Sequence, residues 1–492
     1  MRVGGAISVV VACCVVLISS SAPAAAQAPA KLTRFPEDGV VGTEAGHLEF
    51  PLAIATNNAN GHVYVGEGGN RISEFTGWGE FVKAWGWGVR DGSPEPQVCG
   101  EGESPPHCQE GLEGSAAGQM SAPNGIAIAP DGSIYALERP NRRVQKFSPA
   151  GEFELMFGGD VDKTSNANVC TAASGHECGI GVEGNGNGEF GWASSEISSF
   201  IAVASDGTVY VGDIGRIQEF NSDGTFKGAV PLSKSVFPAN LAVDPISGDI
   251  YFTYLSSPVF NPPVYRIDPD TGAVVDEIPV KAPPKGELDG LATDSHGDLF
   301  VIFDPIGAAK PEAEPRVMEY GPSGEVIIDY PEAFAAPPTA LLEGEAASLR
   351  GVATNAFGDV YVLETNFLVN PFIGAVSVYG PPPPQDKYGP PPAKAPAITD
   401  QFATSAGTTT ATLKAKINPG FWADTAYYLE YGTAPCFEGG CAVAPTPPGH
   451  TLTDQVVNVP LTTEGINLTG LTPATTYHYR FVAQSSGGGP VQ

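Results

Sequence analysis

The chain has 492 residues, enough for more than one domain, and carries 55 Asp and Glu residues against 25 Lys and Arg residues, a formal net charge of −30. A chain this acidic repels phosphate backbones and anionic lipids, which argues against a nucleic acid or a membrane surface as its partner. The 61 Gly and 46 Pro residues, with a hydrophobic content of 42%, indicate a turn-rich β protein rather than a disordered one.

The N-terminus has the features of a secretory signal peptide over residues 1–26. Met1 and Arg2 precede an apolar run at residues 6–18, and the small residues APAAAQA then predict cleavage after Ala26. The apolar run is too short to span a bilayer. A lipoprotein signal is the alternative, because VVAC ending at Cys13 resembles a lipobox, and an acyl chain there would be the anchor. We expect a secreted bacterial protein, extracellular or associated with the cell wall, with no transmembrane segment after signal removal.

A repeated unit then occupies the chain from Phe50 to Tyr379 in six copies. In the second copy, GIAIAPDGSIYAL is followed by RVQKF and FELMF. Short apolar runs between Gly, Pro, Asn and Asp turns predict strands and hairpins. One such sheet would leave an apolar face exposed to water, so the copies must stack. An aromatic residue follows the turn glycine in every copy, at Tyr64, Tyr135, Tyr210, Tyr251, Phe300 and Tyr361. Six four-stranded sheets arranged radially make a β-propeller.

The repeat pattern is apolar-Ala-apolar, Asp/Asn-Gly, Val-Tyr-Val, Asp/Glu, then Asn-Arg-Val/Ile. It resembles the NHL repeat, and residues 27–380 as a whole resemble a six-bladed NHL-type propeller. The fourth copy departs from the pattern, with Tyr254 in place of the acid and Pro263 in place of the arginine. The sixth copy has Ala375 in the arginine position. The turns and apolar runs persist in both copies, so the expected fold is the same.

The sixth copy ends after its third strand, because Tyr379 is followed by GPPPP and proline cannot donate to a strand ladder. The segment LTRF, which starts at Leu32, resembles the last strand of a blade. We therefore predict that it supplies the fourth strand of the sixth blade and closes the ring.

An acid and an arginine recur a few residues apart in four of the copies. A carboxylate and a guanidinium at this spacing can pair bidentately and fix the corner between two strands. Repetition around the ring favours this structural role, with recognition of a charged ligand as the alternative. The pairs are Glu67 with Arg71, Glu138 with Arg143, Asp213 with Arg216, and Asp304 with Arg316.

Two long insertions, residues 87–119 and 159–190, connect the first three copies, and each carries two cysteines. Removal of the signal peptide leaves six cysteines in three close pairs, which favour local disulfides in an oxidising compartment. A zinc site is the alternative near His107 and His176, but the Cys-x-x-Cys or interleaved histidine spacing is missing, so no metal is predicted there. The insertion-bearing face is the first candidate for partner binding. The expected disulfides are Cys99–Cys108, Cys170–Cys178 and Cys436–Cys441.

Residues 381–396 are rich in proline and predict a semi-rigid linker to a second domain at residues 397–492. In that domain LTGLTPATTYHYRFVA resembles the fibronectin type III signature, with Leu471, Pro473 and Tyr477 placed as in a tyrosine corner. We expect the Tyr477 phenol to hydrogen-bond back to the preceding loop. The sequence reaches Gln492 where the last strand should begin, so we expect an incomplete domain or a chain that continues.

The inner strand of each blade lines the central channel, where propeller enzymes place their chemistry. Calcium needs several convergent oxygen ligands, and only Asn124 and Asp289 of the channel-mouth residues could supply them. A zinc lyase of this fold would need histidines at these positions, and this chain has none there. No catalytic residue and no cofactor are predicted, with Ca²⁺ as the open alternative. Asn124, Asp289 and Arg350 are the candidate ligand-binding residues, with an Asp289–Arg350 ion pair as the alternative role. Repeat alignment places Leu52, Asn124, Ser199, Ala239, Asp289 and Arg350 at the channel mouth.

The sequence thus predicts a secreted, non-catalytic binding or scaffold protein. Its propeller would engage a protein or a glycan outside the cell, and the second domain would act as a spacer. The alternative is a metal-dependent hydrolase or lyase, similar to a lactonase, that acts in the central channel. The sequence leaves the ligand and the oligomeric state open.

Overall fold

A computed structural model describes most of the chain as β-structure. It describes residues 31–37, 39–191, 201–232, 238–254, 263–280, 286–305, 315–330, 348–366, 373–380, 394–453, 456–486 and 488–491. The predicted signal peptide with its alternative lipobox, Ser199, the Asp304 side chain and residues 381–393 of the predicted linker lie outside the described residues. No helix in the described ranges is long and apolar enough to cross a membrane. Within these ranges, the regular elements other than strands are two short 3₁₀ turns, Ala172–Ser174 and Cys436–Glu438.

Six antiparallel sheets follow one another along the first three quarters of the chain. The described part begins with strand β1 (Lys31–Phe35). Blade 1 contains β2 (Pro51–Thr56), β3 (Val63–Glu67), β4 (Arg71–Phe75), β5 (Phe81–Trp87) and β6 (Pro96–Cys99). Blade 2 contains β7 (Gly125–Ile128), β8 (Ile134–Glu138), β9 (Arg143–Phe147), β10 (Phe153–Phe157) and β11 (Val169–Thr171). Blade 3 contains β12 (Ile201–Val203), β13 (Val209–Asp213), β14 (Arg216–Phe220) and β15 (Phe226–Val230).

The other three sheets have the same up-and-down order. Blade 4 contains β16 (Pro238–Val243), β17 (Ile250–Tyr254), β18 (Val264–Ile267) and β19 (Val274–Ile278). Blade 5 contains β20 (Gly286–Thr293), β21 (Leu299–Pro305), β22 (Arg316–Tyr320) and β23 (Val326–Tyr330). Blade 6 contains β24 (Ser348–Thr354), β25 (Val360–Asn366) and β26 (Ile373–Tyr379), with β1 as its outer strand.

The first strands of the six blades contact one another in a closed ring, β2 to β7, β12, β16, β20, β24 and back to β2. The chain therefore folds as a β-propeller. Strand β1 pairs antiparallel with β26, with Arg34 opposite Ser377 and Phe35 opposite Val376. The predicted closure by the N-terminal segment is thus observed, and it leaves blade 6 with four strands built from both ends of the propeller sequence.

In two blades the repeated aromatic residue connects one blade to the next. Tyr135 and Tyr361 are fully buried in the second strands of their blades. The Tyr135 hydroxyl donates to the Ser222 carbonyl in the next blade at 3.1 Å, and the Tyr361 hydroxyl donates to the Gly77 carbonyl at 3.3 Å. A buried phenol satisfies its hydroxyl in this way while its ring fills the space between two sheets.

The two insertions contain regular structure that the sequence did not indicate. Strand β6 pairs with β5, and β11 pairs with β10, so blades 1 and 2 each gain a fifth strand. Both strands are short, three or four residues, and too brief to give an alternating pattern. Each contains one cysteine of a disulfide, which holds the added strand to the remainder of its insertion.

The C-terminal unit consists of two facing sheets around a common apolar core. Its strands are β27 (Ala397–Ala406), β28 (Thr410–Asn418), β29 (Ala426–Gly432), β30 (Ala442–Ala444), β31 (His450–Thr451), β32 (Leu461–Thr462), β33 (Ile466–Thr469), β34 (His478–Ser485) and β35 (Gly488–Val491). Strand β28 pairs with β27, β32 and β33 in one sheet, and β29 pairs with β30, β31 and β34 in the other. Tyr477 accepts a hydrogen bond from the Thr472 amide at 3.1 Å, as expected for the tyrosine corner. Strand β35 pairs with β34, so a short last strand is present.

The sandwich packs directly on the closing strand of the propeller. Val457 belongs to the core that contains Leu32 and Phe35, and the Asn458 amide donates to the Leu32 carbonyl at 2.6 Å. The ring of Phe421 meets that of Trp78 edge-on, with 5.2 Å between centroids. The predicted role as a mere spacer does not account for these contacts, because a spacer need not touch the strand that closes the ring.

Candidate functional site

Three arginines, two of them fully buried and Arg216 with its side chain 20% exposed, form the corners between the second and third strands of blades 1 to 3. Arg71 donates from Nε and Nη2 to the two carboxylate oxygens of Glu67, at 3.0 and 3.1 Å. Arg143 donates from Nε to Glu138 at 3.1 Å, and both side chains are fully buried. Arg216 donates from Nε and Nη2 to Asp213 at 3.0 and 2.9 Å. These are the ion pairs that the sequence pattern predicted.

Each of these arginines also holds a loop with a common sequence, Gly-x-x-x-Gly-x-(Leu/Met/Phe). The three connecting loops are residues 42–48, 114–120 and 184–190, and each precedes the first strand of its blade. In each loop the first glycine amide donates to the carbonyl of the last residue, at 3.1 to 3.3 Å. The second glycine has φ between +73° and +88°, a conformation that other residues rarely adopt.

The contacts between arginine and connecting loop repeat from blade to blade. Arg71 donates to the carbonyls of Thr43 and His47, and Arg143 donates to those of Ser115 and Gln119. Arg216 donates in the same way to the carbonyls of Asn185 and Glu189. The partner acids accept a backbone amide after each loop, from Glu49, Ser121 and Gly191. Each charge pair therefore provides hydrogen-bond partners for backbone groups of a loop that does not pair with a strand.

Each insertion is consequently held by the arginines of two neighbouring blades, at points in its C-terminal half. Arg71 also donates to the Gln109 carbonyl, and Arg143 to the Gly179 carbonyl, at 3.1 and 3.2 Å. The first insertion therefore lies between the arginines of blades 1 and 2, and the second between those of blades 2 and 3. The disulfides Cys99–Cys108 and Cys170–Cys178 close each insertion internally, and Cys436–Cys441 forms in the sandwich, as predicted.

The face that carries the insertions is the side on which the first strand of each blade begins; we call it the insertion face. It combines acidic and apolar groups. The two insertions contain eleven acidic residues, Asp91, Glu95, Glu101, Glu103, Glu110, Glu113, Asp160, Asp162, Glu177, Glu183 and Glu189, against two basic ones, Arg90 and Lys163. Large apolar side chains are exposed there at Phe50, Leu112, Ile180, Val182 and Ile214. A surface of this kind suits a partner that offers cations and apolar groups together.

The structure brings together only part of the predicted channel-mouth set. Asp289 and Arg350 are half-buried bulge residues on β20 and β24, which are neighbours in the ring. Asn124 belongs to blade 2, on the opposite side of the ring from Asp289 in blade 5. Its side-chain oxygen accepts the Arg139 amide at 3.3 Å, and the residue is 8% exposed. Asn124 therefore holds the end of its own blade, and its convergence with Asp289 stays a prediction.

In blade 4 the bulge falls one residue later than the alignment indicates. Ala239 pairs with Thr253 and Leu241 with Phe252, so Asn240 is the extra residue. The Asn240 backbone has φ of +49°. The side-chain Nδ2 of Asn240 donates to the Leu288 carbonyl of blade 5 at 2.7 Å. Asn240, rather than Ala239, thus stands at the bulge of the inner strand. Asparagine tolerates positive φ better than most residues, which gives a sequence signal for this position.

One cluster in the described part of the chain has the composition of a metal site. Asp294, His296 and Asp298 lie in the turn between β20 and β21, with one ligand atom of each within 4.8 Å of the others. The hydrogen bond from His296 to Asp294 raises the pKa of the histidine, and burial raises that of Asp298. Asp294 also accepts the backbone amides of His296 and Asp298, as turn-forming residues do. This turn lies at the opposite end of the strand from the insertion face.

The histidines near the first two disulfides do not form a metal cluster in the described residues. His176 contacts Asp162 through Nδ1 at 2.6 Å, and this hydrogen bond lowers the pKa of the carboxyl. Asp162 also accepts the amides of Thr164 and Ser165. The pair therefore shapes the insertion.

Comparison with known proteins finds similar proteins but assigns the chain to no family. No family model matches. Peptidyl-glycine alpha-amidating monooxygenase A of Xenopus laevis is 26% identical over 241 residues, 44% of this chain and 23% of that protein. The chain thus spans less than a quarter of that relative's length.

Two solved structures are similar at 12% identity: virginiamycin B lyase from Staphylococcus aureus and a gluconolactonase from Xanthomonas campestris. The first similarity covers 78% of this chain and 94% of the lyase, with a TM-score of 0.35. The second covers 72% of this chain and 96% of the gluconolactonase, with a TM-score of 0.39. Similarities at this level do not assign an activity to this chain.

Proposed function

We propose that this is a secreted propeller protein that binds an extracellular protein or glycan through its insertion face. The observation that carries the proposal is the attachment of each insertion to two arginines of neighbouring blades, Arg71 and Arg143 for the first insertion and Arg143 and Arg216 for the second. A surface held in one conformation loses little conformational entropy when it binds, which favours affinity. Three disulfides agree with an oxidising compartment. Within this proposal the blades are NHL repeats and the sandwich is a fibronectin type III domain.

The acidic and apolar composition of the insertion face favours a basic protein surface over a glycan. Exposed Ile180 and Val182 lie between two acidic residues of the second insertion, Glu177 and Glu183. An acidic surface attracts a basic partner at long range, and the apolar groups then provide short-range contact. The sequence predicted a non-catalytic protein. The proposed binding function does not exclude catalysis, because the similar protein from Xenopus laevis is named as an enzyme.

The test compares two pairs of exposed apolar residues. Ile180→Ser with Val182→Ser removes apolar groups from the insertion face, and Ile246→Ser with Val275→Ser removes them from elsewhere on the propeller. All four side chains are at least 40% exposed, so none of the changes should affect folding. Binding is measured by interferometry against lysine-rich amphipathic peptides and a glycan array. We expect the first pair alone to weaken peptide binding about tenfold, roughly 1.4 kcal/mol. Equal effects of both pairs, or no binding by the wild type, would refute the proposal.

A second candidate function is a metal-dependent hydrolase or lyase at the channel mouth. The similarity to an amidating monooxygenase favours it, and Asp289 and Arg350 on neighbouring inner strands would supply a carboxylate and a cation. Chelator-washed protein should then retain stoichiometric calcium or zinc, and Asp289→Asn should release it. Asp131→Asn, in an exposed turn of blade 2, is the matched control. Retention of metal would justify a screen of lactones and uronides, whereas absence of metal would count against this function.

A further inference from the structure

Three side chains from separate parts of the chain meet in the cleft between the propeller and the sandwich. Glu37 follows β1 of the propeller, Lys394 precedes β27 of the sandwich, and Asn458 precedes β32. Lys394 Nζ forms an ion pair with Glu37 Oε1, and Asn458 Nδ2 donates to the same oxygen at 2.6 Å. Because both nitrogens lie within hydrogen-bond distance of one atom, they are within about 6 Å of each other.

The asparagine of this group is fixed and shielded from water, whereas the lysine and the glutamate lie at the rim of the cleft. Asn458 is 5% exposed, and its backbone amide donates to the Leu32 carbonyl at 2.6 Å. The buried rings of Trp78 and Phe421 line the same cleft. The side chains of Lys394 and Glu37 are 47% and 50% exposed. The lysine can therefore move towards a carboxamide that stays in place, and a small product can leave through the rim.

This arrangement supplies what the transfer of an amide from one side chain to another requires. Amines do not attack amides at a useful rate in dilute solution, but two groups held together react as if they were at very high concentration. Glu37 can take a proton from one nitrogen and later return it to the other, because it is within hydrogen-bond reach of both. The Arg34 guanidinium lines the same cleft and favours the negative charge that develops on Asn458 Oδ1 during the attack.

We propose that Lys394 and Asn458 become joined by an isopeptide bond, an amide between their side chains, with Glu37 as the catalytic base and acid. Glu37 takes one proton from the Lys394 ammonium, and the neutral Nζ attacks Cγ of Asn458. A second Nζ proton passes to Nδ2, the Cγ–Nδ2 bond breaks, and ammonia leaves. Glu37 then gives its proton to the departing ammonia, so the products are the Nζ–Cγ amide and an ammonium ion. The reaction needs no oxidant, reductant or cofactor, and the loss of ammonia to the solvent prevents its reversal.

The bond would connect two segments of the sandwich at the place where it meets the propeller. Lys394 lies at the start of the sandwich, and Asn458 contacts Leu32 in the strand that closes the ring. Because Glu37 belongs to the propeller, the bond forms only in a chain whose two units have docked. Once formed, it constrains the unfolded chain as a disulfide does, but it is not broken by reduction. This modification goes beyond the proposed function, since none of the three residues belongs to the insertions.

Intact mass spectrometry of the reduced full chain tests for the bond, because its formation removes one molecule of ammonia. We expect the wild type to be lighter by that mass than the chain calculated from its measured N-terminus. Trypsin should fail to cleave after Lys394 and should release a branched peptide that contains Lys394 and Asn458. Lys394→Arg removes the nucleophile and Glu37→Gln removes the base, so both variants should have the full mass. Glu80→Gln, an exposed residue that also lines the cleft, is the matched control and should lose ammonia like the wild type.

Three outcomes would overturn the proposal. The first is a wild type with its full mass. The second is ammonia loss that persists in Lys394→Arg, because an asparagine can also lose ammonia by cyclising onto its own backbone. The third is a branched peptide in Glu37→Gln at the wild-type level, which would remove the catalytic role of Glu37. Both substituted side chains are about half exposed, so the variants should fold, and circular dichroism checks that they do. The variant with Ile180→Ser and Val182→Ser should form the bond like the wild type, so the result is independent of the insertion face.

Discussion

Among the described residues, blades 1 to 3 and blades 4 to 6 show two different means of holding the ring together. In the first half, a buried acid and the arginine paired with it at each corner bind the backbone of a connecting loop. In the second half, threonine hydroxyls at the ends of the first strands bind the preceding blade: Thr293 donates to the Val243 carbonyl and Thr354 to that of Thr293, at 2.7 and 2.8 Å. The Thr56 hydroxyl continues this ladder from blade 1 to the Thr354 carbonyl.

The difference follows from single residues at equivalent positions. Blades 2, 3 and 4 have Ile128, Val203 and Val243 where blades 5, 6 and 1 have threonine, so they offer no hydroxyl to a neighbouring strand. Conversely, blade 6 has Ala375 opposite Glu364, where an arginine would stand. The described hydrogen bonds thus include corner bonds in the first half and bonds at the ends of the inner strands in the second. Corner bonding fixes loops on the insertion face, which is where a preorganised binding surface needs them.

The largest expected effect comes from breaking one corner of the first half. Arg143→Met leaves the fully buried Glu138 without its guanidinium and frees the Ser115, Gln119 and Gly179 carbonyls. Removal of one member of a buried ion pair typically costs about 3–5 kcal/mol, and we expect that loss in the free energy of unfolding in urea.

Arg142→Met is the matched control for this change. Arg142 is adjacent in sequence and pairs with Glu183 at the surface, with the two side chains 33% and 61% exposed. An exposed pair contributes little, so the control should stay within about 0.5 kcal/mol of the wild type. Equal losses in both variants would show that the corner arginine does not anchor the insertions.

The sequence predicted these arginines and their acids but not what they bind. Arg-acid spacing follows from two adjacent strands, which is local information. The carbonyls at Thr43 and His47 come from a loop more than twenty residues away, and no pairing rule connects them. The repeated Gly-x-x-x-Gly-x-(Leu/Met/Phe) would have been the signal. This motif is difficult to recognise in the sequence, because long insertions of different composition separate its three copies.

The blades and the closing strand were predictable because they depend on apolar alternation and turn residues, which repeat six times. The channel-mouth residues were harder to place. A bulge shifts the register by one residue without changing the composition, as at Asn240, and only the strand pairing reveals it. The contact of the sandwich with β1 was also inaccessible, because it joins Asn458 to Leu32 across almost the entire chain.

A second prediction concerns the turn between the first and second strands of a blade, where an aspartate of blade 6 and one of blade 3 have pKa values shifted in opposite directions. In blade 6, burial raises the pKa of Asp359 to about 7, and Oδ1 has no hydrogen-bond partner in the described ranges. In blade 3, a backbone hydrogen bond from Thr208 lowers the pKa of the exposed Asp206. Because the folded state holds the Asp359 proton more tightly than the unfolded state, stability should fall as pH rises from about 4 to 7.

The expected loss between pH 5 and pH 8 is about 1–3 kcal/mol, because the raised pKa of about 7 lies about two pH units above the lower pH and each pH unit corresponds to about 1.4 kcal/mol. Urea unfolding at pH 5 and pH 8 measures it. Asp359→Asn should remove this pH dependence and stabilise the protein at pH 8, whereas Asp206→Asn should leave it intact. A wild type whose stability rises between these pH values would contradict the prediction.

The smallest expected effect tests the threonine ladder by exchanging residues between the halves. Thr354→Val removes the donor to the Thr293 carbonyl and should cost about 0.5–1.5 kcal/mol in urea unfolding. Val243→Thr places a hydroxyl at the equivalent position of blade 4, where it can donate to the Val203 carbonyl and extend the ladder by one blade. The new hydrogen bond should offset the lost methyl burial, so this variant should stay close to the wild type. If Val243→Thr costs as much as Thr354→Val, the inner strands associate through apolar packing alone, and the two halves differ only at their corners.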